Sequence, residues 1–99
     1  MRIARIVVDS AQLDAYKAAL KDGMTTAVRT EPGVISLTAV YEQDHPTHVT
    51  VFEIYADEDS YRSHIQTAHF LKYKAIVQPM VKSLDLVDVL PIAVVTKTP

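Results

Sequence analysis

Apolar residues recur along this chain with two kinds of spacing, one typical of strands and one typical of helices. Each change of spacing marks the boundary of a predicted element. Residues 2–9 form a short, β-branched run that predicts a strand. Apolar residues then recur three and four positions apart, which predicts an amphipathic helix over residues 11–29 with Ser10 as its N-cap. The stripe that this helix would bury consists of Leu13, Tyr16, Leu20, Met24 and Ala27.

The second half of the chain repeats this succession of strand and helix signals. Glu31-Pro32-Gly33 breaks the first helix, and residues 44–47 predict a hairpin connection between two further strands. Thr67 is a candidate N-cap at which the second helical region would stop and restart. The predicted elements are strands over residues 34–43 and 48–56, helical segments from Asp57 and from Thr67 to Pro79, and a last strand over residues 84–90.

The order strand, helix, strand, strand, helix, strand predicts the ferredoxin-like plan, in which helices cover one face of an antiparallel sheet. The chain has 99 residues, which is the size of one domain, so we predict a single α+β domain over residues 1–99. Residues 91–99 are predicted to form an extended tail, which is too apolar at Ile92, Val94 and Val95 to be freely solvated.

Neither face of the predicted sheet is plainly polar. Alternation assigns Val34, Ser36, Thr38 and Val40 to one face of the second strand, and Ile35, Leu37, Ala39 and Tyr41 to the other. Because the helices cover only one face, we predict a homodimer whose sheets pack face to face as a dimeric α+β barrel. The apolar tail could cross to the partner subunit, and a monomer with exposed apolar area is the alternative.

Composition and charge exclude several classes of function. The net charge is -2 and the charges are interspersed, so nucleic acid is not an expected partner. The absence of Cys excludes thiolate nucleophiles and iron–sulfur clusters. No stretch approaches the roughly 20 apolar residues of a membrane span, and the first residues lack a signal-peptide pattern. We therefore expect no membrane partner and a cytoplasmic location.

The candidate chemistry lies on the third strand and the helical region after it. His64 and His69 are five positions apart, so one continuous helix would hold them roughly 140° apart. Metal-binding pairs favour a spacing of four, so no metal site is predicted. The two imidazoles converge only if the helix breaks at Thr67. We expect one to line a pocket and the other to be structural, and His69 is favoured for the pocket because aromatic residues follow it.

A carboxylate, Glu53, stands in the middle of an apolar strand. Such a group must find a partner or take up a proton. It is a candidate pocket base or orienter of a histidine, and an ion pair with Arg5 or Arg62 is the structural alternative, which we favour.

Aromatic residues provide the remaining candidates. Tyr73 is a candidate catalytic hydroxyl donor, because a phenol supplies both stacking surface and an O–H group. Tyr16, Tyr55 and Phe70 are candidates for substrate binding, although aromatic residues at helical spacing more often belong to the core.

Three segments in order resemble the antibiotic biosynthesis monooxygenase family over nearly the whole length. They are residues 29–34 (R-T-E-P-G-V), residues 53–57 (E-I-Y-A-D) and residues 64–70 (H-I-Q-T-A-H-F), followed by Tyr73. The resemblance implies a ferredoxin-like protomer that dimerises through its sheet. It also implies oxidation of polycyclic phenols or quinols by molecular oxygen with no metal or prosthetic group, although related members degrade haem or isomerise a phosphorylated sugar product.

Haem breakdown is not predicted, because the chain has no Trp and Lys74 falls near the position of the relatives' haem-ligating His. The predicted function is cofactor-independent oxidation of a small aromatic, quinol-like substrate by molecular oxygen, with a histidine base and tyrosine donors. The alternatives are an isomerase or lyase acting on a small carbonyl compound, and a non-catalytic binding or stress-response protein. A large apolar pocket would favour oxidation of a quinol, and converging charged groups would favour action on a phosphorylated sugar. A filled core would favour the non-catalytic protein.

Overall fold

The structure is a computed structural model that describes residues 1–98, so Pro99, the last residue of the predicted tail, lies outside the described part. Two short 3-10 turns, Ser10–Gln12 and Gln78–Met80, precede the first α-helix and the last strand. The strands and α-helices in chain order are β1 (Arg2–Val8), α1 (Leu13–Thr30), β2 (Val34–Tyr41), β3 (His48–Tyr55), α2 (Glu58–His64), α3 (Ala68–Val77) and β4 (Val81–Asp88).

The four strands form one antiparallel sheet in the order β2-β3-β1-β4. This order and the helices on one face confirm the predicted ferredoxin-like α+β fold. Of the helices in the described residues, none has the combination of length and apolar character that crossing a membrane requires.

The core lies between the helices and the inner face of the sheet. Alternate residues of β1, Ala4, Ile6 and Val8, are buried there, and they pack with Tyr16 of α1 and Val77 of α3. The side chain of Tyr16 is fully buried, which confirms the predicted helix stripe. Removing this apolar surface from water stabilises the fold at about 25 cal/mol per Å², and it also fixes the helices that carry the candidate residues.

Two expectations about element ends are wrong. Ser10 does not cap the first helix, because Asp9 accepts a hydrogen bond from the Ala11 N–H at 3.1 Å and starts a 3-10 turn before α1. The last strand begins at Val81 rather than at residue 84, because backbone pairing with Val8 continues through that stretch.

The face assignment of β2 is also wrong at one residue. The register shifts between Val34, which pairs with Tyr55, and Ser36, which pairs with Ile54. A bulge of this kind interrupts simple alternation, so Val34 is buried on the inner face rather than sharing a face with Ser36. Simple period-two assignment has no signal for such an irregularity.

The outer face of the sheet and the tail expose apolar side chains in the single chain. Phe52 and Val40 on the outer face are exposed. Leu90, Ile92 and Val95 in the tail are exposed by 91%, 105% and 92%. These surfaces match the regions that the sequence predicted to need cover.

Candidate active site

A break between α2 and α3 brings the two candidate imidazoles together. Helix α2 ends at His64, and Thr67 then caps α3 by accepting a hydrogen bond from the Phe70 N–H at 3.2 Å. The Thr67 hydroxyl also donates to the His64 carbonyl at 2.8 Å, which ties the two helices to each other. The predicted break at Thr67 is confirmed, and it cancels the separation that one continuous helix would impose.

Both imidazoles bind the same carboxylate oxygen. His64 Nδ1 lies 2.8 Å from Glu31 Oε2, and His69 Nε2 lies 2.6 Å from that atom. The side chains of Glu31 and His64 are 13% and 9% exposed, so this contact is largely withdrawn from water. The expected division into one pocket histidine and one structural histidine is not found, because both line the same cavity.

The sequence argument missed Glu31 as a candidate site residue. It lies between α1 and β2, where its backbone N–H donates to the Ala27 carbonyl at 2.9 Å. In the sequence it was interpreted only as part of a turn, and its partners follow 33 and 38 positions later. The available signal was its place in the first of the three motif segments.

Glu53 is bound to a phenol and not to an arginine. Tyr55 Oη donates to Glu53 Oε1 at 2.6 Å, within the same strand. The favoured ion pair is therefore wrong: Arg5 lies on the opposite face of the sheet, and Arg62 binds Asp59 at 3.1 Å. Burial above all, and then this hydrogen bond, raise the pKa of Tyr55 well above its ordinary value of 10.0.

A second pair of phenols lies deeper between α1 and α3. The hydroxyl oxygens of Tyr16 and Tyr73 are 3.4 Å apart. Burial is the main cause that raises the pKa of both groups above 10.0, and the neighbouring Tyr73 raises that of Tyr16 further. Both phenols therefore remain neutral hydroxyl groups at physiological pH.

These groups surround one cavity of about 550 Å³ between the helices and the inner face of the sheet. A depression of about 630 Å³ between α1 and β2 holds none of the predicted site residues. The walls of the first cavity are mainly apolar, with Ile6, Val51 and Val77 among them. All seven predicted site residues line it: Tyr16, Glu53, Tyr55, His64, His69, Phe70 and Tyr73.

Positive charge reaches this cavity only at its rim in the described residues. Lys74 and Lys82 contribute to the lining, and both are exposed. Arg2 lies near Tyr61, with its guanidinium carbon 3.4 Å from the ring centroid, and it binds Asp88 at 2.6 Å and Glu58 at 3.3 Å. In the described residues no other Lys or Arg lines the cavity, and two carboxylates lie near the imidazoles, which is a poor environment for a phosphate group.

Glu31, His64 and His69 each offer one atom that could bind a metal ion, and these three atoms lie within 4.8 Å of one another. The prediction of no metal rested on the helical spacing of the two histidines, and the break between α2 and α3 removes that argument. In the structure the two imidazole nitrogens meet the carboxylate directly. The absence of a metal from the reaction stays a prediction.

The fold and this cavity define a ferredoxin-like α+β protein with an imidazole and phenol site. A family model described as antibiotic biosynthesis monooxygenase matches residues 1–76. A candidate antibiotic biosynthesis monooxygenase from Bacteroides thetaiotaomicron VPI-5482 is 46% identical with a TM-score of 0.93, over 99% of this chain and 93% of that chain. The chain belongs to the antibiotic biosynthesis monooxygenase family.

Two further solved structures place this chain among more distant relatives. A candidate monooxygenase from Lactobacillus acidophilus NCFM is 30% identical with a TM-score of 0.84, and the match covers 86% of this chain but 40% of that chain. A candidate antibiotic biosynthesis monooxygenase from Nitrosomonas europaea is 24% identical with a TM-score of 0.82, over 87% and 83% of the two chains, and shows the fold alone. No curated protein matches the chain.

Proposed function

We propose that the protein is a monooxygenase that oxidises a small aromatic, quinol-like substrate with molecular oxygen and uses no cofactor or metal. The observation that supports this most is the cavity itself, in which mainly apolar walls enclose two imidazoles held by one carboxylate. A cavity of about 550 Å³ is within the size range of small-molecule sites. The family's monooxygenase name supports the oxidation reaction. The cytoplasm remains the location expected from the sequence.

The chemistry asks the protein to form and hold an electron-rich anion. A histidine takes the proton of a substrate hydroxyl, since imidazole is the side chain best suited to proton transfer near neutral pH. In the overall reaction one oxygen atom replaces a ring hydrogen and the other leaves as water. The hydroquinone becomes a hydroxyquinone and supplies all four electrons, so no external reductant is required.

Neutral phenols supply the donors for the developing anion. The Tyr55 hydroxyl is already engaged by Glu53. In the contact between the Tyr16 and Tyr73 hydroxyls, which are 3.4 Å apart, we assign the donor role to the fully buried Tyr16. That arrangement leaves the Tyr73 O–H free to donate to a substrate oxygen in the cavity. The raised pKa of Tyr73 supports this role, because an ionised phenolate would have no proton to donate.

The same features disfavour the two alternatives. An isomerase for a phosphorylated carbonyl compound needs cations that converge on the phosphate, whereas Lys74 and Lys82 lie at the rim. A non-catalytic protein would be favoured by a filled core, whereas the space beside His64 and His69 is open.

Oxygen uptake with a panel of hydroquinones in chelator-treated buffer tests the proposed activity. We expect one O₂ consumed per substrate, no hydrogen peroxide, and one atom of ¹⁸O₂ in the product. A suitable control is His48→Ala, because His48 is an exposed histidine that contacts Glu42 at 3.2 Å outside the cavity. Uptake no faster than in buffer for every hydroquinone, or uptake that appears only after metal is added, would refute the proposal.

We also propose that two protomers pair through the outer face of the sheet. The exposed Phe52 and Val40 on that face and the exposed tail support this, because large apolar patches seldom remain wet on a monomer. Sedimentation should give about twice the monomer mass of 11.0 kDa, and Phe52→Lys should reduce it. Val28→Lys on α1 is the control. A stable wild-type species of 11.0 kDa would contradict the dimer.

A further inference from the structure

The protonation pattern of the two histidines follows from their shared acceptor. An ionised carboxylate offers only lone pairs, so a nitrogen at hydrogen-bond distance from it must carry the proton. Glu31 Oε2 lies 2.8 Å from His64 Nδ1 and 2.6 Å from His69 Nε2, and both nitrogens therefore donate to it. When both rings are neutral, the free lone pairs are on Nε2 of His64 and on Nδ1 of His69.

These two free nitrogens differ in what they can reach. In every histidine Nδ1 is bonded to Cγ and lies close to the residue's own main chain, whereas Nε2 lies at the far end of the ring. The free nitrogen of His64 is thus the one at the tip of its side chain. The His64 ring lies 5.0 Å from the Phe70 ring and 5.6 Å from the Tyr55 ring, between centroids, so aromatic cavity walls flank it.

The carboxylate that sets this pattern is itself held in place. The backbone of Glu31 ends α1 through its N–H to the Ala27 carbonyl, and its own carbonyl accepts from the Val34 N–H at 3.1 Å. With the second histidine as an additional donor, the side chain has little freedom to turn away. Such fixed partners set the tautomer and the orientation of a catalytic imidazole.

We infer that His64 is the catalytic base, acting through Nε2, and that Glu31 and His69 are positioning residues. The inference rests on the proposed function and reverses the preference for His69 that the sequence suggested. When His64 takes the substrate's proton it becomes an imidazolium, and Glu31 at 2.8 Å stabilises that charge. His69 contributes by holding the carboxylate with its own N–H.

The first arm of the test needs no substrate. Long-range ¹H–¹⁵N spectra of the histidine rings in the full chain, at a pH where the rings are neutral, report which nitrogen carries the proton. We expect Nδ1–H for His64 and Nε2–H for His69 in the wild type, and loss of the Nδ1–H form of His64 in Glu31→Ala. A wild-type His64 that carries its proton on Nε2 would overturn the inference whether or not the protein consumes oxygen.

The second arm compares two matched variants in oxygen uptake. His64→Asn keeps an amide N–H near the position of Nδ1 but has no base, whereas His69→Gln keeps an N–H near the position of Nε2. We expect kcat to fall by about 10²–10⁴-fold in His64→Asn and by less than about 10-fold in His69→Gln. The opposite order, or equal losses, would overturn the assignment of the base. Wild type without oxygen uptake but with the expected tautomers would refute the proposed function and the catalytic role of His64, and would leave only the positioning of His64 by Glu31.

Discussion

Gly33, the residue before β2, lies against Ser60 in the first turn of α2, close to the site. A Cβ atom on Gly33 would lie 2.2 Å from Ser60 Oγ and 2.4 Å from Ser60 Cβ, where an ordinary contact is 3.4–4 Å. In the described residues no glycine has a positive φ, so glycine is required here for space and not for backbone conformation. Gly33→Ala therefore isolates a steric effect.

The size of that effect follows from the atoms involved. Ser60 Cβ is attached to the helix backbone and has no flexible stem, so relief requires α2 to shift by roughly 1 Å. We expect the free energy of unfolding to fall by about 1–3 kcal/mol, the usual cost of overpacking. Helix α2 carries His64 one turn further on, so turnover should fall as well, because a 1 Å displacement near a reacting group can cost about 10²-fold.

Urea denaturation with a double-mutant cycle tests this reasoning. Ser60→Gly removes both atoms that the new Cβ would meet, at a cost of less than about 1 kcal/mol in helix propensity, and should rescue Gly33→Ala. Ser60→Ala retains Cβ and should rescue little. Gly23→Ala is the control, because its Cβ would lie 3.3 Å from Tyr73 Cδ1 and needs only a small adjustment of the ring. Wild-type stability in Gly33→Ala, or no rescue by Ser60→Gly, would refute the steric argument.

Two further predictions concern the cap of α3 and the buried phenols. Thr67→Ala removes the acceptor of the Phe70 N–H and should lower the free energy of unfolding by about 1 kcal/mol, which is roughly 4–8 °C in Tm. Thr67→Ser keeps the hydroxyl acceptor and should leave the Tm unchanged. Equal Tm values for the wild type and both variants would contradict this prediction. Burial raises the pKa of Tyr16, Tyr55 and Tyr73 above 10.0, so the stability these neutral phenols contribute is present below pH 10.0 and is lost as the pH rises above it. Spectroscopic titration should show three of the five tyrosines still un-ionised beyond pH 10.0 in the folded chain, and ionisation of all five near that pH without unfolding would refute the prediction.

The sequence predicted what depends on local pattern. The order of the elements and the helix stripe around Tyr16 follow from apolar period. The cap at Thr67 follows from a local side-chain hydrogen bond, and it makes the convergence of His64 and His69 possible. The residues chosen for the site line the cavity because they lie on strand and helix faces that meet in this fold.

The sequence could not predict what depends on contacts between distant segments. Glu31 contacts His64 and His69 only when α2 and α3 pack beside the end of α1. The local sequence around Glu31 predicts a turn and gives no sign of these contacts. The partner of Glu53 was predicted from charge, whereas the phenol of Tyr55 two residues on meets it at 2.6 Å. The bulge after Val34 likewise arises from pairing with β3, and the alternation of residues within β2 does not predict it.

The short connection between α2 and α3 also constrains how the protein can vary. Each residue in a helix turns the chain by about 100°, so one insertion between His64 and Thr67 that prolonged α2 would rotate the following segment by that angle. His69 would then leave Glu31, even though no residue of the site had changed. The hairpin between β2 and β3 carries no residue that lines this cavity, so a change in its length would leave the site intact. Across related chains, gaps should therefore accumulate in that hairpin and be rare in the three residues before α3.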